Sequence, residues 1–231
     1  MSKIIGVTVG SPLSVRRDEI ENIMADLAEL KYFPIEITAF GHKGTSNTGT
    51  ISKEIKKEYG SKQYDVNLAW EINKAPKTLT LNGEALDASS TTKYVSNGEG
   101  WTLTKRWTLK ATDEKDNSDE ATFQLSFYKP LYHGALDADV EITREVILGL
   151  SKTLNADKKI TFKATTGANQ KLTFVQPSSY AEPVFTIDPF SYSWVPVKVL
   201  ENFENSSGYV ESYTVWQEPE IIPGTSTVKV T

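Results

Sequence analysis

The residue types that most often carry chemistry are sparse in this chain. His42 and His133 are its two histidines, each beside a glycine, Gly41 and Gly134. Neither has a carboxylate or second imidazole at metal-ligand spacing, so both read as structural. There is no cysteine, which excludes thiolate catalysis, disulfides and cysteine-ligated metal. The densest acidic run is Asp113-Glu114-Lys115-Asp116-Asn117-Ser118-Asp119-Glu120. Oxygen ligands on a turn are the chemistry of calcium, but the spacing matches no EF-hand, Lys115 intrudes and no glycine marks a sharp turn. The run reads as a solvated hairpin tip. No phosphate-binding glycine loop, dinucleotide fingerprint or nucleophile elbow occurs. Carboxylates are plentiful, yet nothing singles out a pair for glycoside hydrolysis. The expectation is a protein that is not an enzyme and holds no cofactor or metal.

Aromatic residues are the stronger signal. Tyr180, Phe185, Phe190, Tyr192, Trp194, Phe203, Tyr209, Tyr213 and Trp216 crowd the last third of the chain. The alternation in Phe190-Ser191-Tyr192-Ser193-Trp194 puts three rings on one face of a strand. That face is either core or, if exposed, a surface for sugars or protein partners.

Two N-terminal segments point to assembly rather than catalysis. Ile4, Ile5, Val7, Val9 and Leu13 form a short β-type run, read as a first strand of its own sheet or as a strand that docks on a partner. After it, Ser14 or Asp18 is placed to cap a helix through Glu19–Leu30. Ile20, Ile23, Leu27 and Leu30 recur at heptad spacing, and isoleucine at the first two positions favours three strands over two. Met24 and Ala28 widen the stripe. Two heptads are fewer than the roughly three or four of a sustained coiled coil. The segment is an amphipathic helix packed on its own domain or a short trimerisation helix.

The elements beyond residue 34 are strands. Val66, Leu68, Trp70 and Ile72 alternate with polar or small residues, as a half-buried strand requires. Thr78–Leu81 follows, with an Asn82-Gly83 hairpin turn. Ile35–Phe40, a strand near Ile51–Ile55, a short piece at Tyr94-Val95 before an Asn97-Gly98-Glu99-Gly100 turn, Leu103–Ala111 and Ala121–Phe127 complete a first unit. About seven short strands with turn signals roughly every 8–12 residues are the pattern of an immunoglobulin-like sandwich. Lys129–Gly134 reads as a hinge. Beyond it come a helical stretch over Ile142, Val146, Ile147, Leu150 and Leu154, capped by Asp139 or Thr143, and a hairpin turn at Gly167–Gln170. Strands follow at Lys159–Thr165, Lys171–Gln176, Val184–Ile187, Val195–Asn202, Tyr209–Gln217 and Thr227–Thr231. The predicted class is mainly β. Residues 1–33 form an attachment segment and helix, 34–130 an Ig-like sandwich and 131–231 a second sandwich with one short helix.

The 231 residues carry a net charge of −5, with 39% hydrophobic and 24% charged residues. An acidic chain without basic runs is a poor partner for nucleic acid or an anionic membrane. No apolar run approaches the roughly 18 residues of a membrane span. The N-terminus lacks the long apolar region of a signal peptide, and the absence of cysteine fits folding in a reducing cytoplasm.

Several of these stretches also occur together elsewhere. Lys3-Ile4-Ile5-Gly6-Val7-Thr8-Val9-Gly10-Ser11-Pro12-Leu13 resembles an N-terminal signature of minor structural proteins of phages that infect Gram-positive gut bacteria. Val66–Lys74 with Leu79–Gly83, and Trp107–Glu114, resemble a repeated β-domain of the same class. Leu154, Ile160–Ala164, Asn205–Trp216 and Thr225–Val230 are similar to its next module. The segment Asp188–Trp194 departs from the glycine-rich pattern usual there. The resemblance implies a fibre, baseplate, tail or head-decoration component of a virion, made in the host cytoplasm. It implies that the N-terminus docks on capsid, tail or baseplate proteins and that the β-domains project toward the host surface, with a surface glycan as a partner. A homo-oligomer is expected, a trimer favoured. The rival reading is a secreted or cell-surface carbohydrate-binding module, which explains the aromatics; a glycan-cleaving depolymerase is the third.

Overall fold

The computed structural model of the chain describes residues 12–44, 49–187 and 190–231. Among the described residues seventeen strands and two helices follow one another, and the fold is mainly β. Helix α1 (Pro12–Leu30) begins well before Glu19. Ser14 and Asp18 therefore lie inside it rather than capping it. Proline is well suited to a first helical turn, where its missing N–H has no partner to lose.

The first unit contains β1 (Ile37–His42), β2 (Glu54–Glu58), β3 (Gln63–Ile72), β4 (Thr78–Leu81), β5 (Glu84–Leu86), β6 (Thr92–Trp101), β7 (Lys105–Thr112) and β8 (Ser118–Tyr128). One sheet has the order β1-β3-β6 and the other β2-β8-β7-β4-β5. Their pairs are antiparallel except β2 with β8, which is parallel. Alternation does what it predicts. Val66, Leu68 and Trp70 meet Leu79, Leu81, Trp107, Leu109, Phe123 and Leu125 in one core. Each such side chain contributes about 1.5–3 kcal/mol by burial. The Trp70 indole N–H donates to the Ser90 carbonyl at 2.8 Å, so its one polar atom is satisfied. Asn82 and Gly83 have φ of 51° and 84°, the left-handed pair that a two-residue hairpin needs.

Residues 97–100 lie within β6, where the register with β3 breaks between Ser96 and Trp101 and Gly100 takes a φ of 74°, and Tyr94-Val95 belongs to the same strand. The reason is position. β6 is an edge strand, and its inward residues opposite Leu68 and Val66 are Lys93 and Val95. An edge that contributes few apolar side chains leaves little alternation to read.

The second unit contains β9 (Leu131–Asp137), α2 (Arg144–Leu148), β10 (Ser151–Thr153), β11 (Ile160–Thr166), β12 (Gln170–Pro177), β13 (Phe185–Ile187), β14 (Phe190–Tyr192), β15 (Val195–Glu204), β16 (Val210–Gln217) and β17 (Gly224–Val230). Its sheets have the orders β10-β9-β12-β16-β15 and β11-β17-β13-β14. The segment read as a hinge is instead the start of β9, paired with β12 from Tyr132 onward. The predicted helix is only one short turn, α2. Thr143 Oγ1 accepts from the Val146 amide at 3.4 Å, and Gly149 caps the other end. Leu150 and Leu154 lie beyond it, and Ser151–Thr153 joins β9 as an edge strand. Gly167–Gln170 does not close a hairpin within a sheet; it carries the chain from β11 in one sheet to β12 in the other.

The five-stranded sheet of this unit is buried on both faces. Leu131, Leu172, Phe174 and Trp216 pack toward Phe162, Phe185, Val228 and Val230 of the opposing sheet. Tyr132, Val175, Phe203, Tyr213 and Val215 pack on the other side with Ile147 of α2. Continuous burial from Leu172 to Pro177 follows, where a one-sided strand would alternate.

Candidate functional site

Ile4, Ile5, Val7 and Val9 lie outside the described residues, and Leu13 is in the first turn of α1 with its side chain outside them. The helical stripe is placed clearly. Ile20, Ile23, Met24 and Leu27 are 56%, 63%, 65% and 47% exposed, so their own sandwich does not cover them. Leu30 ends α1, and its side chain is outside the described residues.

The base of α1 is fastened to the first sandwich on either side of Leu30, through Glu29 and Tyr32. Lys115 pairs with Glu29. The Tyr32 ring lies between two ammonium groups, Lys74 and Lys115, each 4.2 Å from its centroid. Its hydroxyl donates to Asp113 and accepts from the Asn117 amide at 2.6 Å. Asp113 is therefore not part of a solvated tip: it is 2% exposed. Lys74 lies 2.9 Å from one of its oxygens, and the backbone N–H groups of Lys115 and Asn117 donate to the other at 2.9 and 3.1 Å. Burial pushes this carboxyl up, but the Tyr32 hydroxyl, Lys74 and the two amides outweigh it and hold it well below the ordinary carboxylate range.

A second joint connects the two sandwiches. Glu58, at the end of β2, pairs with Lys152 and accepts from the Ser206 hydroxyl at 2.6 Å and amide at 3.1 Å. The Asn205 amide donates to the Tyr59 carbonyl at 2.8 Å. The rings of Tyr59 and Tyr209 meet edge to face at 4.6 Å. Gly60 has φ of +97°, and a Cβ there would stand 2.7 Å from that of Tyr209, so no other residue suits this approach. Lys129, read as part of a hinge, pairs with Glu211 and is largely buried.

The aromatic candidates of the second unit are mostly core. Trp194 is 4% exposed and stacks on Phe185 at 4.1 Å. Phe190 and Tyr192 pair with β13 through β14, but their side chains lie outside the described residues. His133 stacks on Phe162 at 4.5 Å, and burial lowers its pKa, which favours the neutral ring. Among the described residues no group of three or more His, Asp or Glu is placed to hold a metal. No helix there is long and apolar enough to cross a membrane.

The structure adds one site that the sequence reading missed. A three-stranded sheet cannot cover a five-stranded one, and at the uncovered edge a cleft of about 460 Å³ opens between β6 and the β4–β5 hairpin. Trp101 and Trp107 line it with Asn82, Glu84, Lys93, Asn97 and Lys105. Trp101 is half-buried and meets Trp107 edge to face at 5.4 Å. The isolated placement of Trp101 in the sequence carried no periodic signal. Comparison with known protein families gives no match, and comparison with curated proteins gives none either.

Proposed function

We propose that the chain is a non-enzymatic structural component of a phage particle, of the fibre, baseplate or head-decoration kind. In this reading it assembles through α1 and presents its two sandwiches for contact with the host surface. The observation that carries the reading is the exposed stripe of Ile20, Ile23, Met24 and Leu27 on a helix whose base is fastened to the first sandwich. The occupant of that stripe is two further copies of the same helix. Heptad spacing supports this. The resemblance of residues 3–13 and of the β-modules to phage structural proteins supplies the particle. The joint at Glu58 and Asn205 supports a stiff tandem of sandwiches rather than two units on a free linker.

The test uses the absence of native cysteine. An Ile23→Cys variant under mild oxidation forms a disulfide between copies if helices associate in register, because the Cα atoms must approach within about 7 Å. A covalent dimer on a non-reducing gel is expected. A chain that stays monomeric under the same oxidation refutes in-register assembly.

A further inference from the structure

The chain has five tryptophans. Four are buried: Trp70, Trp107, Trp194 and Trp216 are 3%, 2%, 4% and 7% exposed. Trp101 alone is half-exposed, and it stands in the wall of the cleft beside β6. Its ring packs edge to face on the buried Trp107. A partly exposed indole in a cleft wall suits a flat ligand with an apolar side and a polar rim.

The polar lining narrows the class. Lys93 and Lys105 have no ion-pair partner among the described residues. Glu84 is the one carboxylate in the lining, so the cleft is net positive in a chain of net charge −5. Lys93 and Val95 lie on the inward face of β6, in register with Leu68 and Val66. They extend the cleft along the strand away from Trp101. The volume lies in the range of small-molecule sites, roughly 300–1,000 Å³.

We propose that this cleft binds a short acidic oligosaccharide laid along β6, with one sugar ring stacked on Trp101. Its anionic substituents face Lys93 and Lys105, and its hydroxyls donate to Glu84 and bond to Asn97. The shared chemistry is a pyranose bearing a carboxylate or a phosphate. This deepens the host-contact half of the proposed function. It is a property of the single chain and does not depend on assembly through α1.

The experiment is a titration of the full chain followed by tryptophan fluorescence and by calorimetry. The probes are trigalacturonate for the carboxylate, glucose 6-phosphate for the phosphate and maltotriose as the neutral control. At least one acidic probe is expected to perturb the emission saturably, with a Kd of about 1 mM or tighter. Trp101→Leu should abolish the fluorescence response and weaken binding about tenfold. Lys93→Gln with Lys105→Gln, both exposed and without partners to strand, should weaken acidic probes by a similar factor and leave maltotriose unchanged. Response to one acidic probe and not the other assigns the anion. Failure of both acidic probes to bind overturns the proposal. So does binding that survives both variants, or maltotriose binding as tightly as the acidic probes. The mass of the particle-forming species does not enter these readouts, so a monomeric chain that binds, or a trimer that does not, separates the two readings.

Discussion

Removing Glu58 tests whether the two sandwiches form one body. The residue is 7% exposed and gathers the Lys152 ammonium with the Ser206 hydroxyl and amide. Glu58→Ala removes two Ser206 hydrogen bonds to a charged acceptor, each worth about 1.5–3 kcal/mol and here at the low end, because Ser206 is itself exposed and water takes the acceptor's place. Losing one partner of a fully buried ion pair costs about 3–5 kcal/mol. That figure is too large here, because the Lys152 side chain is 36% exposed and turns to water. A net loss of about 2–3 kcal/mol is therefore expected. The conservative Glu58→Gln keeps the shape and one acceptor and should lose about half as much. Denaturant titration gives the free energy. Calorimetry gives a second readout, since a weakened joint should split one unfolding transition into two, with the wild-type chain unfolding in one. A Glu58→Ala loss under about 0.5 kcal/mol with a single unchanged transition would refute the reasoning, because surface substitutions reach no further than that.

Two further perturbations follow from charge. Glu218 is 1% exposed, and neither carboxylate oxygen has a hydrogen-bond partner among the described residues. Burial raises its pKa, and the nearby Leu172 backbone amide, too poorly aligned to count as a hydrogen bond, and Lys171 oppose the rise. A raised carboxyl favours the fold below its unfolded value near 4, and that contribution is lost as pH rises through the folded value. Glu218→Gln should therefore stabilise the chain by about 1–2 kcal/mol at pH 7 and leave it unchanged near pH 4, read as thermal midpoints across pH; equal midpoints at pH 7 would contradict this. Asp113 runs the other way. Its lowered pKa means stabilisation present above the ordinary carboxylate range and lost as pH falls through the folded value. Asp113→Asn should lower the midpoint at pH 7 and converge on wild type in strong acid, and a constant difference across pH would contradict it.

The sequence carried most of the first core and little of the cleft. Val66, Leu68, Trp70, Leu109 and Phe123 alternate because one sheet face is wet, and they are readable for that reason. The strands β9 and β12 are buried on both faces, so β9 opens without alternation and reads as a hinge. The apolar residues Ile142 to Leu154 shared helical spacing, yet Gly149 caps α2, and the spacing beyond it is coincidence between a helix and a strand. Asp113 reads in the sequence with its exposed neighbours because nothing local marks the partner, Tyr32, that is 81 residues away. Trp101 lacked a pattern because its environment comes from two mismatched sheets. Trp194 belonged to a readable aromatic row, but only packing against Phe185 shows that it is core.

Assembly through α1 is the central claim, and the mass of the full chain by multi-angle light scattering tests it most directly. The account predicts about three times 25.7 kDa for wild type, falling to a single chain when Ile23→Asp places a charge in the seam. A wild-type mass of 25.7 kDa at concentrations well above the micromolar range would contradict it, and so would a trimer that Ile23→Asp leaves intact.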